Sequence, residues 1–205
     1  MNAKPCLSLV VSSLFVAAVA GCGGGDAQTP VFSVTSPDLA SGTFANSFVL
    51  NGFGCTGGNL SPAVVWSNPP AGTQSFSLQM FDPDAPTGSG FWHWAIYNIP
   101  ATTTNLPRGA GNSANTLPAP AFGGNTDFLD TGTTGGNGNY GGPCPPVGDK
   151  PHRYIITIYA LNIPDVQVAA GLPRTGTAGL YSFALNKAIG SALIAKTTFT
   201  ATYGR

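Results

Sequence analysis

Asp82, His93 and His152 are the residues of this chain whose types and spacing could do chemistry together. All eight acidic residues are aspartate, and the 205-residue chain has two histidines and only 8% charged positions. Two short stretches gather both histidines with Asp82 and Asp84: FDPDAPTGSGFWHWAIYNIP at Phe81–Pro100 and PHRYIITIYAL at Pro151–Leu161. A protonated imidazole donates from both nitrogens, whereas an ionised carboxylate only accepts. Such a set can hold a phosphate- or sulfate-like anion on the imidazoles and an ammonium on the carboxylate. Its affinity for an anion is expected to rise as pH falls through the histidine range near 6.5. The same residues could also run acid–base hydrolysis. A nucleophile for it is missing: there is no G-x-S-x-G elbow, Ser89 lies in a turn, and Cys144 sits between prolines.

Strands must bring these residues together. Ser75–Phe81 alternates, with Phe76, Leu78 and Met80 on one face and Ser75, Ser77 and Gln79 on the other. It delivers Asp82 at its end, and Pro83 and Pro86 prevent its continuation. His93–Ile99 reads as the next strand, with His93, Ala95 and Tyr97 on one face. Tyr154–Leu161 is apolar on both faces, the pattern of a central, doubly covered strand. If these strands are neighbours, Asp82, His93 and His152 share one rim.

Around them, VFSVTSP, FANSFVL, Ala63–Trp66 and Thr197–Tyr203 read as further short strands, and Asn51–Asn59 as a glycine-rich loop. Residues 101–142 lack periodicity and form an unusually long loop, mobile in its middle and ordered by prolines at its end. Tyr181–Ala195 is the one convincing helix, with Tyr181, Leu185, Ala188, Ile189 and Ala192 at helical spacing. Many short strands and few helices predict a mainly β, antiparallel architecture with the helix covering one sheet or edge.

Basic and acidic residues balance, so no field favours nucleic acid. Lys4 and the apolar Leu7–Ala20 make a signal-like N-terminus too short to span a bilayer. It ends Val19-Ala20-Gly21-Cys22, which resembles the lipobox of bacterial lipoproteins, where the cysteine is lipidated; the alternative is an ordinary secretory signal with a cysteine nearby. Residues 1–21 are then signal, 22–29 a flexible tether and 30–205 the folded domain. Gly23 after the cysteine is what that resemblance associates with the outer membrane, facing the periplasm. Cys55 and Cys144 remain for the domain. In an oxidising compartment they are a candidate disulfide, with two separately buried thiols as the alternative.

Several spaced motifs resemble those of the phosphatidylethanolamine-binding protein family, in its bacterial Raf-kinase-inhibitor-like branch. They are Asn59-Leu60-Ser61-Pro62 with Trp66, Asp82-Pro83-Asp84-Ala85-Pro86, and His93 with its strand ending Asn98-Ile99-Pro100. Tyr140–Pro146, His152-Arg153-Tyr154 and Tyr203-Gly204-Arg205 follow in order. The resemblance implies a β-sandwich with a few short helices, one C-terminal, and a small anion pocket at one rim. Asp82, His93, His152 and Tyr154 would line that pocket, with Gly142 and Pro143 as wall and backbone. Asp84 and Arg153 would support the rim through a salt bridge, and Trp92 would be core or wall. No cofactor and no metal are expected. The resemblance implies a binding protein that takes a small anionic or phosphorylated ligand, or inhibits a protein such as a kinase or protease. A hydrolase and a purely structural envelope lipoprotein are the alternatives.

Overall fold

A computed structural model describes residues 30–128 and 140–205 of the chain. The signal, the tether, Cys22 and the middle of the long loop lie outside the described residues. The strands are β1 (Ser33–Thr35), β2 (Asn51–Gly52), β3 (Cys55–Thr56), β4 (Val64–Ser67) and β5 (Ser75–Asp82). They continue as β6 (Phe91–Pro100), β7 (Asn105–Leu106), β8 (Phe122–Gly123), β9 (His152–Leu161) and β10 (Leu193–Tyr203). A five-stranded sheet runs β10-β9-β5-β6-β8, a three-stranded sheet runs β1-β4-β7, and β2 and β3 form a small hairpin.

The two larger sheets pack face to face. Phe76, Leu78 and Met80 of β5 join Trp94 and Ile96 of β6 and Ile156 and Ile158 of β9 against Val34, Val64, Trp66 and Leu106 of the smaller sheet. The opposite face of the large sheet is covered by helices α1 (Val166–Ala170) and α2 (Ala178–Phe183), which bring Val166, Ala178 and Tyr181 onto Ala95, Tyr97 and Tyr159. The polar face of β5 is therefore as buried as its apolar face. Gln79 is satisfied there: its amide donates to the Tyr97 hydroxyl at 3.0 Å and the Ala178 carbonyl at 3.0 Å, and its carbonyl accepts from the Tyr159 hydroxyl at 3.3 Å.

Four local readings are corrected. FANSFVL is not a strand: Asn46–Phe48 is a turn of 3-10 helix. The glycine-rich stretch after it is the β2–β3 hairpin, whose two-residue turn is Phe53-Gly54 with φ of 51° and 82°. The C-terminal helix begins at Ala178 rather than Tyr181, because the Thr177 side chain caps it by accepting from Leu180 N at 3.2 Å. It widens to a π turn over Ala184–Ala188 and gives way by Leu193 to β10, whose pairing with β9 outcompetes helical spacing. The long loop is structured on either side of its middle: β7 and β8 add edge strands to both sheets, and Asn125 bridges to Thr177.

Two bulges in β6 decide which way its side chains face. The register to β5 shifts between Met80/Trp94 and Phe81/Trp92, and again between Phe76/Ile99 and Leu78/Ile96. At the second, Asn98 adopts φ 57° and its side-chain carbonyl accepts from Val166 N at 3.0 Å, anchoring the start of α1. At the first, an extra residue on β6 turns His93 away from the Ala95 and Tyr97 face. Strict alternation would have pointed it at the helices. Its ring instead meets Tyr154 edge-on at 5.1 Å.

Candidate functional site

Asp82 ends β5, His93 is the third residue of β6 and His152 begins β9. Since β6 and β9 flank β5 and run antiparallel to it, all three residues fall at the same end of the sheet. His152 and Tyr154 are two apart on β9 and so share the face that also carries Asp82. Asp82, His93 and His152 are only 2%, 4% and 4% exposed.

The Asp82 carboxylate is the hub. Its Oδ1 accepts from Asp84 N at 2.8 Å, which orients the turn after β5. Its Oδ2 accepts from His152 Nδ1 at 2.8 Å and lies 4.0 Å from His93 Nε2. His152 Nε2 reaches the half-exposed Asp149 carboxylate at 3.3 Å. Both partners only accept, so both bonds are made at once only by the doubly protonated ring. His93 is different. Its Nδ1 donates to the Gly141 carbonyl at 2.9 Å, and burial holds its pKa down at about 4, against the pull of Asp82. At neutral pH its Nε2 therefore carries a bare lone pair toward Asp82. The Tyr154 hydroxyl is buried against the Asp82 carboxylate. Burial first, and then that charge, push its ionisation above the usual tyrosine range.

These groups form the floor of an open cavity of about 130 Å³. Its wall is apolar: Leu50, Phe53, Ala85, Pro86, Phe91, Phe128, Pro145 and Pro146. Asp82, His93, His152 and Tyr154 are thus brought together on the cavity surface. Gly142 and Pro143 lie behind the wall. Gly142 N donates to Asn59 Oδ1 at 2.8 Å, and a Cβ there would come within 2.2 Å of the Phe48 carbonyl. The Pro143 carbonyl accepts from Leu50 N at 3.1 Å. Their work is to hold the segment against Phe48–Leu50, and the next residues, Cys144 to Pro146, supply the wall. Asp84 and Arg153 form a two-pronged pair at 2.7 and 2.9 Å that holds the Asp84 pKa down at about 2. Trp92 is on the other face of the sheet, its ring tilted against Phe81 with centroids 4.3 Å apart. Cys55 and Cys144 are disulfide-bonded, with their Cα atoms 6.1 Å apart, tying the β2–β3 hairpin to the wall.

Sequence reasoning missed Phe53, Phe91, Phe128 and Asp149. Asp149 stands three residues before His152, a spacing that could have suggested the contact. No comparable signal marks the phenylalanines, which come from three separate segments.

The sequence matches a family model described as phosphatidylethanolamine-binding protein over residues 21–204. The chain belongs to the phosphatidylethanolamine-binding protein family. Within it, the chain is 48% identical to YbcL of Escherichia coli over 144 residues, 69% of this chain and 75% of that one. It is 44% identical to YbhB of the same organism, over 66% of this chain and 82% of that one. LppC of Mycobacterium tuberculosis, named as a candidate lipoprotein, is 32% identical over 72% of this chain and 75% of its own. The crystal structure of E. coli YbcL superposes with a TM-score of 0.73 and 40% identity, covering 85% of this chain and 98% of that one. The β-sandwich of this family member is therefore shared by a relative of known structure.

Proposed function

We propose that this protein is a lipid-anchored binding protein of the bacterial envelope whose cavity takes the head of a small phosphoryl-bearing ligand. The observation that carries the reading is the convergence of Asp82, His93, His152 and the Tyr154 hydroxyl on one open cavity. A ligand oxygen beside the Tyr154 hydroxyl can accept from it. His93 Nε2 and Asp82 Oδ2 both accept, so the ligand head must also donate. A phosphoryl group that retains a proton, or one joined to an ammonium, meets both demands, whereas a fully ionised phosphate faces Asp82 uncompensated. The LppC relative and the lipobox-like Val19–Cys22 support the envelope assignment.

Binding fits this site better than hydrolysis. Among the described residues lining the cavity, Cys144 is spent in the disulfide and the Thr87 hydroxyl donates to the Gly90 carbonyl. Neither has a histidine to activate it.

Titration calorimetry of the soluble domain from Gln28 onward tests the reading. Asp82→Asn is expected to weaken phosphoethanolamine and leave inorganic phosphate unchanged or tighter. His152→Ala leaves the Asp82 carboxylate without the Nδ1 bond that orients it and is expected to weaken both. No heat with either ligand from about pH 5 to pH 8, or two variants that bind like wild type, overturns it.

A further inference from the structure

The wall of the cavity has a chemistry of its own. Phe53, Phe91 and Phe128 come from the β2–β3 turn, the start of β6 and the segment after β8, and all three line the same opening. Phe91 meets Phe128 edge-on at 4.8 Å, and Phe53 lies nearly parallel to Phe128, 17° apart in plane at 6.3 Å. Pro86, Pro145 and Pro146 complete a collar with no charged group above the floor.

Phe53 is the unusual member. It is 53% exposed at the mouth, yet it occupies the first position of a two-residue hairpin turn with φ 51°. Turns of this kind favour Asn, Asp or Gly at that position, and a bulky residue there is strained. The surroundings hold it in place regardless. Arg205 Nη2 donates to the Phe53 carbonyl at 3.2 Å and Arg205 Nε to the Pro145 carbonyl at 2.7 Å. The Cys55–Cys144 disulfide joins the same two segments two residues from Phe53. A strained, half-exposed aromatic ring clamped at the edge of a cavity points to a contact with whatever enters it.

Resting on the phosphoryl reading of the floor, we infer that the ligand is a phosphate monoester of a flat aromatic group, and that Phe53 is the residue selecting that group. The cavity volume of about 130 Å³ supports this division of labour. It is well below the roughly 300 Å³ at which pockets for drug-sized ligands begin, and close to the about 150 Å³ of an engineered apolar cavity that holds one benzene. A polar head on the floor takes up much of so small a space, so the ring sits at the mouth, against Phe53. An offset or edge-on aromatic contact there favours the ring over an alkyl chain of similar size.

The test compares inorganic phosphate, ethyl phosphate and phenyl phosphate by calorimetry on the wild-type domain and on Phe53→Asn. Asparagine accepts the left-handed backbone, so this variant keeps or raises the melting temperature while removing the ring. Wild type is expected to bind phenyl phosphate about tenfold tighter than either other probe. In Phe53→Asn the three affinities are expected to converge, with that for inorganic phosphate unchanged. Equal binding of phenyl and ethyl phosphate, or a phenyl preference that survives in Phe53→Asn, overturns the inference and leaves the phosphoryl floor standing. Binding of none of the three by wild type overturns both. A lower melting temperature in Phe53→Asn with the phenyl preference intact assigns Phe53 a purely structural role.

Discussion

His93 is a buried acceptor, and that removes its charge from the site near neutral pH. Its ring is held neutral down to about pH 4 by burial, so its charge cannot assist anion binding near pH 6.5. Any gain in affinity from a cationic His93 is confined to pH values approaching 4. The same depression makes a stability prediction. In the unfolded chain His93 titrates near its ordinary value of 6.5, so between there and about 4 the unfolded state binds the extra proton. Stability is full above 6.5 and falls as pH drops through this window, by about 3 kcal/mol for the complete shift. Urea unfolding at intervals from about pH 7 to pH 4 should show that slope, and His93→Gln should flatten it. An unchanged slope in the variant would assign the acid sensitivity to other groups. Asp84 acts in the same direction in a more acidic window: its pair with Arg153 stabilises above the ordinary carboxylate range and is lost as pH falls toward about 2. Because Arg153 is exposed, Asp84→Ala should cost no more than about 1 kcal/mol, seen as a small shift in urea midpoint.

At the scale of elements, the cavity depends on connections between strands rather than on the strands themselves. The disulfide closes a loop with a sequence separation of 89 residues and fixes the hairpin carrying Phe53 against the wall carrying Pro145. Loop-closure entropy makes such a cross-link worth roughly 4 kcal/mol. Replacing both cysteines by serine should lower the urea midpoint accordingly, and an unchanged midpoint would mean that the hairpin is held by Arg205 and packing alone. On the opposite face, the Gln79 side chain is the polar pin between sheet and helices. Gln79→Leu leaves the buried Tyr97 hydroxyl without its amide donor and the Tyr159 hydroxyl without its acceptor. The expected cost is about 2–3 kcal/mol, measured by chemical denaturation. A neutral result would show that water or Asn186 replaces those bonds.

At the scale of the whole molecule, the domain puts its cavity at one end of a two-sheet sandwich, and the helices close the far face of the large sheet. No helix among the described residues is long and apolar enough to cross a membrane. The proposed attachment is through a lipid on Cys22. Cys22→Ala is expected to leave the membrane fraction or to accumulate as the uncleaved precursor. A variant that fractionates and migrates as wild type does would refute the lipid anchor.

What the sequence by itself determined follows from local physical rules. Alternation marked β5, the double apolar character of Tyr154–Leu161 marked a covered strand, and Pro83 and Pro86 placed Asp82 at a strand end. Those strands, together with the motifs around Asp82, His93 and His152, made the family and the polar floor legible. Three things were decided only in three dimensions. The bulge at Trp92–His93 turns His93 toward Tyr154, and a bulge is set by the register of two strands together. The aromatic wall assembles Phe53, Phe91 and Phe128 from segments far apart in sequence, so no spacing announces it. The C-terminal helix stops where β9 offers β10 a full ladder of hydrogen bonds, a partner that helical periodicity cannot see. Patterns within one segment record what that segment prefers. The orientation, wall and protonation of the site arise where segments meet.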